Sequence, residues 1–403
     1  MSKLEELITE LCPEGVTYKP LEALGHFFGG LTGKSKDDFT NGNATFITYK
    51  NVYSNPALNI APNDTVKIAE RENQRTLKYG DVIFTGSSET PNECGFSSVV
   101  TKKPEKPLYL NSFCFFFRFN NLSIIEPDFA KHLFRSSNLR YQISKTANGV
   151  TRFNVSKKLM AKIVIPLPPL PVQEEIVRIL DNFTELTAEL TAELTARKKQ
   201  YEYYRDELLT FGDNVRVVQL SDIAKYSKDR IDASEVDEDT YVGVDNLLQE
   251  KRGKTLSSYI PTEGRLTKYN VNDVLIGNIR PYLRKIWFAN NEGGTNGDVL
   301  TIQVTSDRIS PKFLFAILSS ENFFYYDIQN SKGAKMPRGD KDAIMRYPVP
   351  LPTLEEQERI VGILNKFETL CNDITTGLPA EIEARQKQYE YYRDKLLIFK
   401  ELS

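Results

Sequence analysis

The chain has 403 residues, 40% of them hydrophobic and 26% charged, and its 52 Lys plus Arg against 54 Asp plus Glu leave a net charge of −2. That length suits two or three domains, and the near-neutral balance carries no overall basic footprint, so a nucleic acid would have to be met through local clusters. Two histidines, His26 and His132, and four cysteines without a C-x-x-C pair supply little material for His-based metal sites, a zinc framework or Ser-His-Asp chemistry.

The opening MSKLEELITELCPEG has no apolar leader, and no run approaches the ~18 apolar residues of a membrane helix. The expectation is a cytoplasmic protein whose Cys12, Cys94, Cys114 and Cys371 are reduced thiols. Next comes FGGLTGKSK, with Gly33-Lys34-Ser35. A phosphate-binding loop needs one more residue after its first glycine, so a glycine-rich turn is the better reading. FITYKNVYS, GDVIFTG and CFFFRF read as short strands separated by Gly, Asn, Asp and Pro turns. FTGSS (Phe84–Ser88) lacks the second glycine of an S-adenosylmethionine loop, and no Asn-Pro-Pro-Tyr follows to hold an amino group for methylation. No catalytic site is expected, and no metal or cofactor.

From Phe129 to Ile165 there are eight basic residues, Lys131, Arg135, Arg140, Lys145, Arg152, Lys157, Lys158 and Lys162, and no acid. After the Pro-rich IPLPPLP, apolar residues from Ile176 to Leu194 recur at three- and four-residue steps, which predicts an amphipathic helix started by the prolines. This helix runs through the tandem unit LTAELTAELTAR and on to QYEYYRDELLTF.

The second half then repeats the first. TYVGVD, NDVLIGN and LTIQV read as strands, and GNIRPYLRK holds Asn278, Arg280 and Arg284. A second basic cluster, Lys332, Lys335, Arg338, Lys341 and Arg346, meets only Asp340 and Asp342. VPLPTLEEQERIVGILNKF matches IPLPPLPVQEEIVRILDNF at an offset of 184, and QYEYYRDKLLIF matches QYEYYRDELLTF at ten of twelve positions at an offset of 188. The offset changes by four between these blocks, inside the stretch that holds the Thr-Ala-Glu-Leu units. In TTGLPAEIEAR, Gly377 and Pro379 are expected to end one helix and start another.

The chain is therefore a tandem duplication of about 190 residues. The expected fold is α+β, with two mixed α/β domains separated by long helices that pack on each other, and approximate two-fold symmetry. The expected boundaries are 1–165, 166–212, 213–349 and 350–403. The matched basic clusters point to phosphate neutralisation and groove readout of DNA. The candidate contacts are Lys34, Lys36, Lys145, Arg152, Asn154 and Lys157 in the first half, and Asn278, Arg280, Arg284, Lys332, Lys335 and Arg338 in the second. Leu186, Leu190 and Leu194 share one helix face and would set a spacing.

The duplicated PLP(P/T)L…IVxIL…F blocks followed by RKKQYEYYRD or RQKQYEYYRD resemble the specificity subunit of type I restriction-modification systems over the whole chain. The tetrapeptide repeat and GLPAEIEARQKQYEYYRDKLL look most like the subclass called type IC. The turn at FGGLTGKSK is similar to a Gly-Gly-x-Thr-Pro-Ser-Lys turn of that family, with Gly33 in place of proline. The resemblance implies a non-catalytic reader of double-stranded DNA in which two target recognition domains bind the halves of a split target. It implies an antiparallel coiled coil that spaces the domains and docks two methyltransferase subunits, with restriction/translocase subunits in the full complex. The docking candidates are Tyr201, Tyr204 and Arg205 in one block, and Tyr389, Tyr392 and Arg393 in the other. A two-module regulator, an autonomous methyltransferase and a scaffold that binds no DNA are the competing readings.

Overall fold

The computed structural model describes residues 2–372 and 377–402 and divides the chain into two compact units. The first holds 1–190 and 382–403, and the second holds 191–381. Each unit thus contains one mixed domain, a helix that follows it, and a helix end carrying a QYEYYRD block that originates in the other repeat.

In the first unit a four-stranded antiparallel sheet has the order Gly25–Gly29, Cys114–Phe119, Val82–Thr85 and Ser97–Val99. The strand CFFFRF explains why the segment is almost wholly apolar. Phe115, Phe117 and Phe119 enter one core, with Val82 and Phe84 beside them. Cys114 and Phe116 point the other way into a second core with Ile83. A strand alternates faces at every residue, so a sheet buried on both sides needs a continuous apolar run. The second unit repeats the device with Ala224–Tyr226, Val299–Val304, Val274–Gly277 and Ile286–Phe288. There Val274, Ile276, Leu300 and Ile302 fill one core, and Leu275 and Val299 the other.

FITYKNVYS is a strand only as far as Ile47. Thr48 then caps a helix, Tyr49–Ser54, by accepting from the Asn51 N–H. The β-rich composition of the segment favoured a strand, and the cap hydroxyl ends it. At Gly33 the backbone has φ 67°, which proline cannot adopt, so the turn FGGLTGKSK takes a path closed to the proline version.

Helix pairs pack on the sheets: Pro127–Leu133 with Ser137–Ser144, and Pro311–Leu318 with Glu321–Asn330. The equivalent residues Ser136 and Ser320 cap the second helix of each pair. Another equivalent pair, Gln173 and Gln357, is fully buried. Gln173 Nε2 donates to the Ile124 and Pro168 carbonyls while its oxygen accepts from the Glu126 N–H. Gln357 does the same with Arg308, Pro352 and Ser310. The glutamine that recurs in VQEE and EEQE is thus a lock that satisfies backbone groups where each helix begins.

One helix of 39 residues, Leu170–Leu208, runs unbroken through the Thr-Ala-Glu-Leu units. Val172, Ile176 and Leu180 belong to the core of the first unit, whereas Tyr201 and Leu208 pack against that of the second. In the second repeat the helices are Leu354–Asn372 and Leu378–Leu396, so the break expected at Gly377 and Pro379 is present. Thr375 and Thr376 of that motif, and the side chain of Cys371, lie outside the described residues. Cys12, Cys94 and Cys114 are buried free thiols. Among the described residues no helix is long and apolar enough to cross a membrane.

In the first unit Asp181 Oδ1 lies 2.7 Å from His132 Nε2, and the Tyr389 hydroxyl lies 2.9 Å from His132 Nδ1. Burial lowers the His132 pKa, against the pull of Asp181, so the ring is neutral, donates to Asp181 and accepts from Tyr389. Tyr389→Phe leaves Nδ1 buried without a donor and is expected to cost about 1–3 kcal/mol. Thermal unfolding of the full chain checks this as a lowered first transition.

Candidate nucleic-acid interface

In each unit the second helix of the pair leads into a short β-hairpin loop that carries the basic residues. In the first unit the hairpin joins Ala147–Asn148 to Phe153–Val155 and docks on Ser87–Ser88, just beyond the inner strand Val82–Thr85. The Val155 N–H donates to the Gly86 carbonyl. At the tip Gly149 has φ 149°, and a β-carbon there would strike the Arg152 carbonyl. In the second unit Lys332 and Arg338 exchange backbone hydrogen bonds of 2.8 and 2.9 Å. That loop docks through Gly339 N–H on the Asn278 carbonyl and through Arg280 N–H on the Pro337 carbonyl. Gly86 and Asn278 occupy the same place after equivalent strands, as do Val155 and Gly339 on the loops. The duplication has preserved a docked loop, and both copies hold basic residues.

Arg152 and Asn154 share the first hairpin. The Arg152 guanidinium bonds to Ser87 Oγ at 2.9 and 3.1 Å and lies 5.9 Å from the ring centre of the exposed Phe113. Lys145 sits over Tyr141 and Lys157 over Phe115; both are exposed residues, and partial burial lowers the Lys157 pKa. In the second unit Asn278, Arg280, Lys332, Lys335 and Arg338 come together. Arg338 is 55% exposed in its side chain and pairs with Asp298 at 3.0 Å. Lys332 pairs with Asp340 and pulls its carboxyl down to about 2. Arg280 is exposed and has φ 53°, a strained backbone for a non-glycine residue beside the loop.

The remaining candidates are placed elsewhere or held within the fold. Lys36 is exposed on the glycine-rich turn, whereas Lys34 bonds to Glu72 and to the Lys67 carbonyl. Its hydrogen bond lowers the Glu72 carboxyl to about 2. Arg284 pairs with Glu250 and Glu321. Part of the acid-free run from Phe129 to Ile165 is also internal. Arg135 donates to the Ser97, Val52 and Tyr53 carbonyls, and Arg140 to those of Gly95, Asn92 and Cys94. Both guanidiniums stack on Phe96, and burial brings each down to about 10. Backbone carbonyls satisfy these two charges, so no neighbouring acid appears in the sequence. Lys131 pairs with Asp128 and Asp181.

The QYEYYRD blocks face both ways. Arg205, Tyr389 and Arg393 are 2%, 8% and 9% exposed, which gives them a role inside the units. Arg393 reaches Asp394 and Ser137, and Arg205 bonds to Asp206. Tyr201 is half-buried over Arg205. Tyr204 and Tyr392 keep about two-fifths of their surface and stack on equivalent partners, Phe367 at 5.9 Å and Phe183 at 5.3 Å. Leu186, Leu190 and Leu194 are only partly covered, with Leu186 at 36% exposure.

Sequence reasoning missed the exposed apolar residues on the loops, Val150 and Met336, and the Ser87 anchor, because exposure is set by distant segments. It also missed Asp327, a buried acid beneath the second loop, which reads as one more polar residue of a helix.

A family model described as the type I restriction modification DNA specificity domain matches residues 13–197 and again 212–384. The chain is 37% identical over 268 residues to the specificity subunit of the Escherichia coli type I restriction enzyme EcoR124I/EcoR124II. That match covers 61% of this chain and 65% of the subunit, so it spans a little under two thirds of the relative's length. A Haemophilus influenzae protein provisionally named a type I restriction enzyme specificity subunit is 36% identical over 280 residues, covering 62% of this chain and 68% of that one. A solved chain from work on complex assembly and conformational transition of the type I R-M system superposes with a TM-score of 0.66 at 16% identity. It covers 96% of this chain and 98% of that chain and bears on the fold alone.

Proposed function

Because the chain belongs to the type I restriction modification DNA specificity family, we propose that it is the non-catalytic, DNA-reading specificity subunit of such a complex, most like type IC. Residues 1–165 and 213–349 act as target recognition domains, each reading one half of a bipartite sequence in double-stranded DNA. Residues 166–212 and 350–403 form the antiparallel helical spacer of a pseudo-two-fold molecule and dock two methyltransferase subunits. Those subunits carry the chemistry on a base turned out of the duplex, and restriction/translocase subunits join them in the full complex in the cytoplasm.

The observation that carries this reading is the pair of equivalent loops docked at equivalent strand ends, each presenting basic residues. Lys36, Lys145, Arg152, Asn154, Lys157, Arg280, Lys332, Lys335 and Arg338 supply phosphate and base-edge contacts from exposed positions. Asn278 would present its amide from beneath the second loop, and Lys34 and Arg284 would support their turns. Tyr204 and Tyr392 offer exposed rings for docking, while Tyr201, Arg205, Tyr389 and Arg393 hold the helix ends that present them. The two recognition domains differ in sequence, so the two half-sites differ as well.

Co-purification of the full chain with a methyltransferase subunit, followed by methylome sequencing, tests the reading. The expected result is a split motif with methylated adenines. A stable complex that leaves no split motif overturns it.

A further inference from the structure

Asp327 lies on the helix Glu321–Asn330, fully buried, and neither oxygen of its carboxyl group has a hydrogen-bond partner. Asn278, at the end of the strand Val274–Gly277, is 5% exposed, and its Oδ1 is also sealed without a partner. Both oxygens face Gly339. A β-carbon on Gly339 would stand 2.8 Å from Asn278 Oδ1 and in hard contact with Asp327 Oδ1. The glycine therefore lets two bare acceptors share one small gap directly beneath the second loop.

Two unpartnered acceptors that border one gap lack a hydrogen between them, and one proton on Asp327 would supply it. Burial alone lifts this carboxyl to about 7. The charged and titratable groups around it come from three other segments. Tyr226 donates to the Lys341 carbonyl, and burial together with Asp327, Asp342 and Asp340 raises its pKa. Asp340 is neutralised by Lys332, and Arg338 is paired with Asp298. The fold does not require an acid at this place. The equivalent helix position in the first unit is Ile143, also fully buried.

We propose that Asp327 is a positioning residue that decides which edge of the Asn278 amide is offered to DNA. With a proton taken from water, its O–H donates to Asn278 Oδ1, and Nδ2 is left to donate outward. Ionised, Asp327 accepts from Nδ2 after the amide turns over, and Oδ1 is left to accept outward. An outward donor suits the acceptors of purine N7 or O6, and an outward acceptor suits the amino groups of adenine or cytosine. One proton thus changes the readout at one base pair of the second half-site. The inference rests on the loop being a DNA face, as proposed above.

The test uses the full chain in complex with its methyltransferase subunits. Binding is measured to the target and to single-base variants of the second half-site, at about pH 6 and about pH 8.5, on either side of the carboxyl's titration. Wild type should change its preference at one base pair about tenfold between the two conditions, close to the discrimination of one base contact. Asp327→Asn, which always offers an N–H, should keep the low-pH preference at both. Asp327→Ile, carrying the side chain of the first unit, should lose that preference and retain the rest of the target. An identical pH response in Asp327→Asn and wild type, or an intact preference in Asp327→Ile, overturns the proposal. The side-chain amide resonance of Asn278 in the full chain without DNA is the independent readout. It should move with a midpoint near neutrality in wild type and stay still in Asp327→Asn, and a resonance that does not titrate in wild type overturns the coupling. If wild type binds no DNA at all, the functional reading fails, and the resonance alone then decides the Asp327–Asn278 link.

Discussion

Deleting Thr191–Leu194 is expected to shorten the unspecified gap of the methylated motif by one base pair. The helix Leu170–Leu208 is continuous across the repeated unit, and the boundary between the two compact units falls between Leu190 and Thr191. The deletion therefore removes helix where the first unit hands over to the second. Four residues amount to about 6 Å of rise and roughly 400° of turn, so the helix beyond the cut shifts along its axis and rotates by only about 40°. Thr184, Thr187 and Thr195 bond their hydroxyls to carbonyls three or four residues back, which lets threonine sit inside a helix at small cost. Leu186, Leu190 and Leu194 stay near one face after a whole unit is lost. Removing two residues instead turns that face by about 200° and should abolish assembly of an active complex.

A step of 6 Å along the DNA axis corresponds to nearly two base pairs at about 3.4 Å each, and an inclined helix delivers less. One base pair is thus the expected change and two the upper bound. Methylome sequencing of cells carrying the deletion reads the gap directly. An unchanged gap would show that the helix does not act as the ruler.

Arg152→Ala and Arg338→Ala should each weaken DNA binding by about 1–3 kcal/mol and lower the salt slope by about 1. Arg152 is held on Ser87 Oγ, a neutral partner that does not compete with phosphate. Arg338 must share its charge with Asp298, so its substitution should give the smaller loss. The two side chains belong to different units, and in a double variant the losses should add. A loss confined to one base position would mark base-edge contact, and a uniform loss would mark phosphate contact. Titrations at two or more salt concentrations distinguish these outcomes. Unchanged affinity and salt slope in both single variants would remove these loops from the DNA face.

Much of the architecture was legible before any coordinate. The 184-residue offset between IPLPPLPVQEEIV and VPLPTLEEQERIV reports the duplication, because the same helix start needs the same prolines and the same buried glutamine. The run CFFFRF was legible as a strand, and only the fold showed that its sheet is covered on both faces. Gly377 and Pro379 marked the break between the C-terminal helices. The basic run was legible only in part. Its residues are alike in sequence, yet Arg135 and Arg140 lie against carbonyls and Phe96 while Arg152 and Lys145 reach solvent. The QYEYYRD block likewise signalled that its residues matter, without showing that Arg205 and Arg393 turn inward while Tyr204 and Tyr392 remain open.

By itself, the sequence determined the duplication, the long helix between the repeats and the family, since each is written in local periodicity or in residues repeated at a constant offset. Tertiary structure alone decided which cations stay free for a ligand, and that Asp327, Asn278 and Gly339 meet in one sealed gap. The physical reason is that burial and hydrogen-bond partners are supplied by segments far away along the chain, and neither composition nor spacing records them.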